Sequence, residues 1–210
     1  MKYKIILASA SKRRSKILKE CGIAHRVVIS NTLEKMDHKR GARFNVLHNA
    51  RVKAKKIAGR YRQGFGITKY SRCTAKIAQS NFLVIGADTV VLLGKRLIGK
   101  PKTRKEAISL LNAFSAKTIL VYTGLCVIDV KGGKSASGID VSKVRLRRLS
   151  HKKIDKFVNV AGPHDKAGGF SIEGPGAFIF DNIEGSFYNI LGLPMMKLNE
   201  LFGKLGVDLL

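Results

Sequence analysis

Apolar residues fall along this chain in short runs alternating with stripes at helical spacing. Residues 4–8 hold the run Ile5-Ile6-Leu7-Ala8, which reads as a short buried strand, and the hydroxyls of Ser9 and Ser11 then offer caps to a helix bearing Ile17 and Leu18. Residues 25–30 form a second strand candidate. Over 44–58, Val46, Leu47, Ala50, Ala54, Ile57 and Ala58 recur near a 3.6-residue period, with Gly59 suited to end the helix. The compact apolar run 82–85 predicts a buried strand ending in Gly86-Ala87-Asp88-Thr89. Thr103, with Glu106 three residues on, has the form of a capping box opening a helix over 103–114. Residues 119–130 and 139–149 read as strands flanking Lys131-Gly132-Gly133-Lys134, whose paired glycines predict a hairpin turn. A helix over 152–160, a glycine-rich segment over 162–176 and an apolar strand over 177–180 follow. A last helix starts at Pro194, with Met195, Leu198, Leu201, Phe202 and Leu205 on one face.

Mixed strands and helices argue for an α/β fold, and the hairpin makes its sheet mixed. With 210 residues and 45% hydrophobic composition, one domain over 1–210 is the expectation. The pattern is lost in a basic, glycine-containing stretch over 60–81, which reads as a surface insertion. No internal repeat or clean linker interrupts the chain.

Charge changes the picture less than its size suggests. Forty Lys and Arg against fourteen Asp and Glu leave +26, a field that draws phosphates, nucleotides, nucleic acids or anionic membranes without choosing among them. The cations spread from Lys2 to Lys204 rather than forming a tail. Cys21, Cys73 and Cys126 are far apart and lack a Cys-x-x-Cys pair, which fits a reducing cytoplasm. The five histidines have no spacing that sets two imidazoles on one helical face, against a histidine-based zinc site. The longest uncharged stretch, near 119–128, is short of the roughly 20 residues a spanning helix needs, and the N-terminal apolar run is too brief for a signal peptide.

Two places can carry chemistry. At Ser9-Ala10-Ser11-Lys12-Arg13-Arg14 a strand feeds a helix whose first turn is cationic, against the helix dipole; a phosphate held there by backbone amides and guanidinium groups removes the penalty. Asp88 follows a buried strand, where ligands gather in open α/β sheets, and is suited to hold Mg²⁺ or take a proton from water. The structural alternatives are surface arginines and a turn aspartate. A Walker loop is excluded, because its first glycine would fall on Ile128 and Asp129 follows, and Gly64-Phe65-Gly66 lacks a third glycine.

In order along the chain, these pieces resemble the Maf family of nucleoside triphosphate pyrophosphatases. The resemblance runs through Leu7-Ala8-Ser9 with Arg13-Arg14, Glu34, Ala50 with Lys53-Ala54, Gly86-Ala87-Asp88-Thr89-Val90-Val91 and Gly99-Lys100-Pro101. It continues through Tyr122-Thr123-Gly124, Asp165-Lys166-Ala167-Gly168-Gly169-Phe170, Glu173-Gly174 with Gly176, Asn189 and Gly192-Leu193-Pro194. It implies a Maf/ITPase-like α/β fold, a mixed sheet with flanking helices and a central nucleotide-binding cleft. It also implies hydrolysis of a nucleoside triphosphate to monophosphate and pyrophosphate, a divalent cation (Mg²⁺, with Mn²⁺ or Co²⁺ as alternatives), a homodimer and a cytoplasmic, non-membrane location. The family's proton acceptor falls on Asp88 and its second acid on Glu34, the two together holding the metal. Its phosphate-binding positions fall on Ser9, Arg13, Arg14, Lys53 and Lys100, and specificity positions on Arg13, Thr89 and Glu173, with a loop contribution from Asp165.

Two positions depart from the family. Glu173 stands where the branch acting on dTTP and UTP typically has glutamine; a carboxylate only accepts, which leans toward the adjacent N–H donors of guanine or 7-methylguanine, while 165–169 looks like the pyrimidine branch. Leu33 stands where an aspartate often precedes the glutamate. The alternatives from other classes are a basic nucleic-acid-binding protein and a nucleotide-sensing regulator of cell division. Only 7% aromatic content, with no helix-turn-helix or RNA-recognition signature, weighs against the first.

Overall fold

Successive side chains of the long strand β3 (Asn81–Leu93) serve different cores in the computed structural model, which describes residues 3–63, 81–161 and 166–209. Leu83, Ile85, Ala87 and Val91 enter the main core on one face. Val84 joins a second cluster and Val90 a third, both on the opposite face. Because strand side chains alternate, Gly86 and Asp88 share that second face with Val84 and Val90.

Seven strands form one mixed sheet among the described residues: β1 (Tyr3–Leu7), β2 (His25–Val27), β3, β4 (Arg96–Ile98), β5 (Thr118–Asp129), β6 (Ser135–Leu146) and β7 (Phe180–Glu184). Their order is β2-β1-β3-β5-β6-β7, with β4 paired to β3. The pairs of β1 with β2 and β3 are parallel, and the remaining pairs are antiparallel. The expected hairpin at Lys131-Gly132-Gly133-Lys134 joins β5 to β6, with Gly133 at φ +69°.

The 22-residue helix α2 (Gly41–Arg62) covers the second face, burying Ala50, Ala54 and Ile57 against Ile6, Val84, Cys126 and Ile128. On the main face lie α1 (Lys12–Glu20), α3 (Arg104–Phe114), α4 (His151–Ala161) and α6 (Met195–Gly203). They contribute Ile17 and Leu18, Leu111 and Phe114, Ile154 and Phe157, and Leu198 and Phe202. A short helix α5 (Phe187–Ile190) precedes α6. Ser11 and Thr103 cap α1 and α3 as expected, each hydroxyl accepting from the amide three residues on. Glu106 completes its capping box on the amide of Lys102 rather than that of Thr103.

Several expected bounds are corrected. The helix expected to stop at Gly59 runs on to Arg62, since glycine only weakens a helix interior and Ile57 and Ala58 are held in the core. The expected strand 25–30 shortens to His25–Val27 because β1, its partner, ends at Leu7. Residues 177 and 178 close a 3₁₀ turn, Gly174–Phe178, and the strand begins only at Phe180. The run at 82–85 is the first third of a strand that continues to Leu93, so Asp88 lies in its middle rather than at its end. The expected insertion at 60–81 lies mostly outside the described residues, at 64–80. Among the described residues, no helix is long and apolar enough to cross a membrane.

Candidate active site

Asp88 owes its access to a difference in strand length. β1 pairs with β3 only as far as Leu7 opposite Ile85, and after the bond from the Ala8 amide to the Ile85 carbonyl (2.8 Å) the chain leaves the sheet into the Ser9–Ser11 turn. Asp88 is thus the side chain just beyond the parallel part of the sheet, while β5 still pairs with it through Gly124.

Glycines bring α2 down onto this place. A Cβ on Gly86 would sit 2.2 Å from the Ala50 carbonyl oxygen, and one on Gly124 would sit 2.4 Å from that of Val46. Asn45, Asn49 and Lys53, spaced four residues apart, therefore form a buried polar stripe facing the sheet. The Lys53 ammonium lies 2.7 Å from Asp88 Oδ1 and 2.7 Å from Glu34 Oε1, and donates to the Ala87 carbonyl at 3.2 Å. Asn49 Nδ2 donates to the other Asp88 oxygen at 2.9 Å. Burial works against the charged form of Glu34, but the charge and hydrogen bond of Lys53, with Lys100 and Arg14 beyond, outweigh it and leave its pKa below the ordinary value.

The two arginines divide. Arg14 is buried and its guanidinium is engaged in the protein: Nε to the Gly192 carbonyl (2.7 Å), one terminal nitrogen to the Ala87 carbonyl (2.9 Å) and Ser9 Oγ (3.3 Å), the other to Thr89 Oγ1 (2.9 Å). Burial pulls its pKa down, opposed by Asp88 and Glu34. Arg13 lines the cavity and faces the Glu173 carboxylate at 3.4 Å. Thr89 continues into a buried chain through Thr123 (3.0 Å) to the Asn189 backbone (3.1 Å).

These groups border a cleft with two lobes. One, of about 330 Å³, is walled by Met36, Val90, Val91, Phe170 and Leu191 along with Arg13 and Thr89. The other, of about 460 Å³, is walled by the Ser9–Lys12 turn, Ser30, Thr32 and Lys53. Arg14, Glu34 and Lys100 border both. Of the expected site residues, Ser9, Arg13, Arg14, Glu34, Lys53, Asp88, Thr89 and Lys100 meet at this cleft. Glu173 stands behind Arg13 without lining either lobe, and Asp165 lies outside the described residues. Leu33, at the position where an aspartate often precedes the glutamate, is 99% exposed, and Glu34 faces Lys53. Asn49 and Thr123 were not singled out as site residues, although Asn49 stands four residues before Lys53 and so on the same helical face.

Two carboxylates flanking one ammonium form an anionic seat of hard oxygen donors, which fits a divalent cation such as Mg²⁺. No cluster of three or more His, Cys, Asp and Glu side chains exists among the described residues, so such an ion would take most of its ligands from water and phosphate oxygens.

Over residues 4–205 the chain matches the Maf-like protein family. Curated relatives include a dTTP/UTP pyrophosphatase of Caldicellulosiruptor bescii, 35% identical over 99% of this chain and 97% of that one. A dTTP/UTP pyrophosphatase of Dictyoglomus turgidum is 36% identical over the whole of both, and one of Clostridium botulinum is 35% identical over 98% of each. Among solved structures, a nucleoside-triphosphatase / dITP/XTP pyrophosphatase from Mycobacterium abscessus covers 70% of this chain and 75% of its own. Its TM-score of 0.37 and 14% identity are too low to bear on fold or function.

Proposed function

The chain belongs to the Maf-like protein family, and on that premise we propose that it hydrolyses pyrimidine nucleoside triphosphates, dTTP and UTP, to the monophosphate and pyrophosphate. One observation carries the reading: a buried carboxylate, Asp88, lines the lobe with the apolar wall and is bonded at 2.7 Å to Lys53, which lines the other, cationic lobe. The apolar wall of the first lobe, Met36, Val90, Val91, Phe170 and Leu191, suits a nucleoside. The cationic lobe, with Lys53, Lys100, Lys12 and the first turn of α1, suits a pyrophosphate leaving group. The α-phosphorus then falls near Asp88.

In this reading Asp88 Oδ2 takes the proton of the attacking water and Asn49 holds that oxygen in place. Lys53 keeps Asp88 and Glu34 apart in charge before substrate arrives. A divalent cation held by Glu34 and Asp88 would supply charge neutralisation at the phosphates. Arg14, whose bonds run to β3 and to Gly192, shapes the wall and keeps one of its five donors for a phosphate oxygen.

The pyrimidine assignment is supported by the names of the relatives and by Glu173, whose carboxylate is paired with Arg13 instead of lining the nucleoside lobe. Arg13 is then the donor that meets a carbonyl of thymine or uracil. Incubation with a panel of triphosphates and Mg²⁺, with products resolved by chromatography, tests both parts. Monophosphate plus pyrophosphate, fastest from dTTP and UTP, is expected; diphosphate plus phosphate refutes the reaction, and preference for GTP or 7-methyl-GTP refutes the base. Asp88→Asn is expected to lose at least about 10²-fold in kcat while keeping its fold.

A further inference from the structure

Residues 28–40, which carry Glu34, have no regular secondary structure, yet part of this segment is bonded as though a strand lay beside it. Asn49 Oδ1 accepts from the Lys35 amide at 2.9 Å and its Nδ2 donates to the Lys35 carbonyl at 2.9 Å. One helical turn earlier, Asn45 repeats this at Asp37: Oδ1 accepts from the amide at 2.7 Å and Nδ2 donates to the carbonyl at 2.8 Å. Two side-chain amides thus occupy both backbone groups of alternate residues, as a neighbouring strand would. The spacing explains why this works. Four residues of helix rise about 6 Å, and two residues of extended chain rise about 6.6 Å.

Asn49 also donates to Asp88 Oδ2 at 2.9 Å, so one amide touches both the catalytic aspartate and the backbone next to Glu34. Its orientation is determined, since a flipped amide would set its oxygen against a carbonyl and a carboxylate. The geometry points to Asn49 as a positioning residue that holds the Glu34 and Asp88 carboxylates at one separation, with Asn45 extending the hold to Asp37. This rests on the reading of Asp88 and Glu34 as the working acids. Asn49 itself is buried, and its one contact with the reacting groups is the bond to Asp88 Oδ2, so it acts through that carboxylate rather than on substrate.

The test uses the full-length protein with dTTP and Mg²⁺. Asn49→Leu fills a similar volume without an amide. It is expected to lower kcat about 10- to 100-fold, in the range for removing the partner of an active-site ligand, with KM changed less than about threefold. Hydrogen exchange at the Lys35 amide is expected to rise at least about tenfold. Asn49→Asp keeps an acceptor for the Lys35 amide but loses both donations, to the Lys35 carbonyl and to Asp88, so kcat also falls while exchange at the Lys35 amide rises less than in Asn49→Leu. The inference is overturned if Asn49→Leu keeps kcat within about threefold of the parent, or loses kcat without added exchange at Lys35. If the parent does not release pyrophosphate, the functional reading falls, while exchange at Lys35 still reports whether the clamp exists.

Discussion

At the scale of single residues, Lys53 is the group on which the site's electrostatics turn. Its ammonium is the cation both carboxylates share at 2.7 Å, and Asp88 is only 4% exposed. Removing that charge leaves two acids facing each other beside a low-dielectric core, with Asp88 unable to recruit water freely. Lys53→Met is therefore expected to destabilise the fold by about 3 kcal/mol, the low end for a broken buried ion pair because Glu34 is half-exposed. Denaturant unfolding of both proteins in EDTA measures this loss. Repeating it with millimolar Mg²⁺ is expected to recover part of the difference in the variant and to change the parent less, since a divalent cation suits the seat the lysine has left. Equal responses to Mg²⁺ would mean that the seat does not accept the ion. Asp88 was legible as a candidate from its place after an apolar run. Its pairing with Asn49 was not, because an asparagine on a helix has no mark in sequence that separates a solvated side chain from one buried against a loop.

At the scale of elements, the contact of α2 with β3 and β5 sets the reach of Lys53 and Asn49. That contact exists because Gly86 and Gly124 have no Cβ to hold the helix away. Gly86→Ala places a methyl 2.2 Å from a backbone oxygen, which side-chain rotation cannot relieve. The expected result is a loss of about 2–3 kcal/mol by urea denaturation and a fall in kcat larger than the stability loss alone would cause, because the polar stripe is lifted from Asp88. Gly59→Ala is the internal comparison. It lies within the same helix with open space around it and is expected to stabilise by up to about 1 kcal/mol. The glycine at 86 was visible beforehand as part of a resemblance; its mechanical reason, close approach of a helix backbone, required the packed elements.

At the scale of the whole molecule, a formal charge of +26 surrounds a cleft that the reading fills with a triphosphate. A field of that sign raises local substrate concentration and is screened by salt, whereas Asp88, Lys53 and Asn49 act at contact distance and are screened little. Raising KCl from about 0.05 to 0.5 M is expected to increase KM for dTTP about three- to tenfold and to leave kcat within about twofold. Polyanionic RNA is expected to compete at low salt and to lose that effect at high salt. A salt-insensitive KM would assign the charge no part in substrate capture.

Local pattern alone determined the α/β class, the β5–β6 hairpin, the caps at Ser11 and Thr103, and the periodic face of α2, because each depends on neighbours a few residues away. Resemblance along the ordered motifs indicated the family and the positions that meet at the cleft. Tertiary structure decided which partners those positions have. It engaged Arg14 with β3 and the Gly192 turn, and it put Glu173 behind Arg13. It also made Asn45 and Asn49 a substitute strand for the segment bearing Glu34. A donor's partner depends on which acceptors folding brings within about 3 Å, and those acceptors lie up to 178 positions away in the chain.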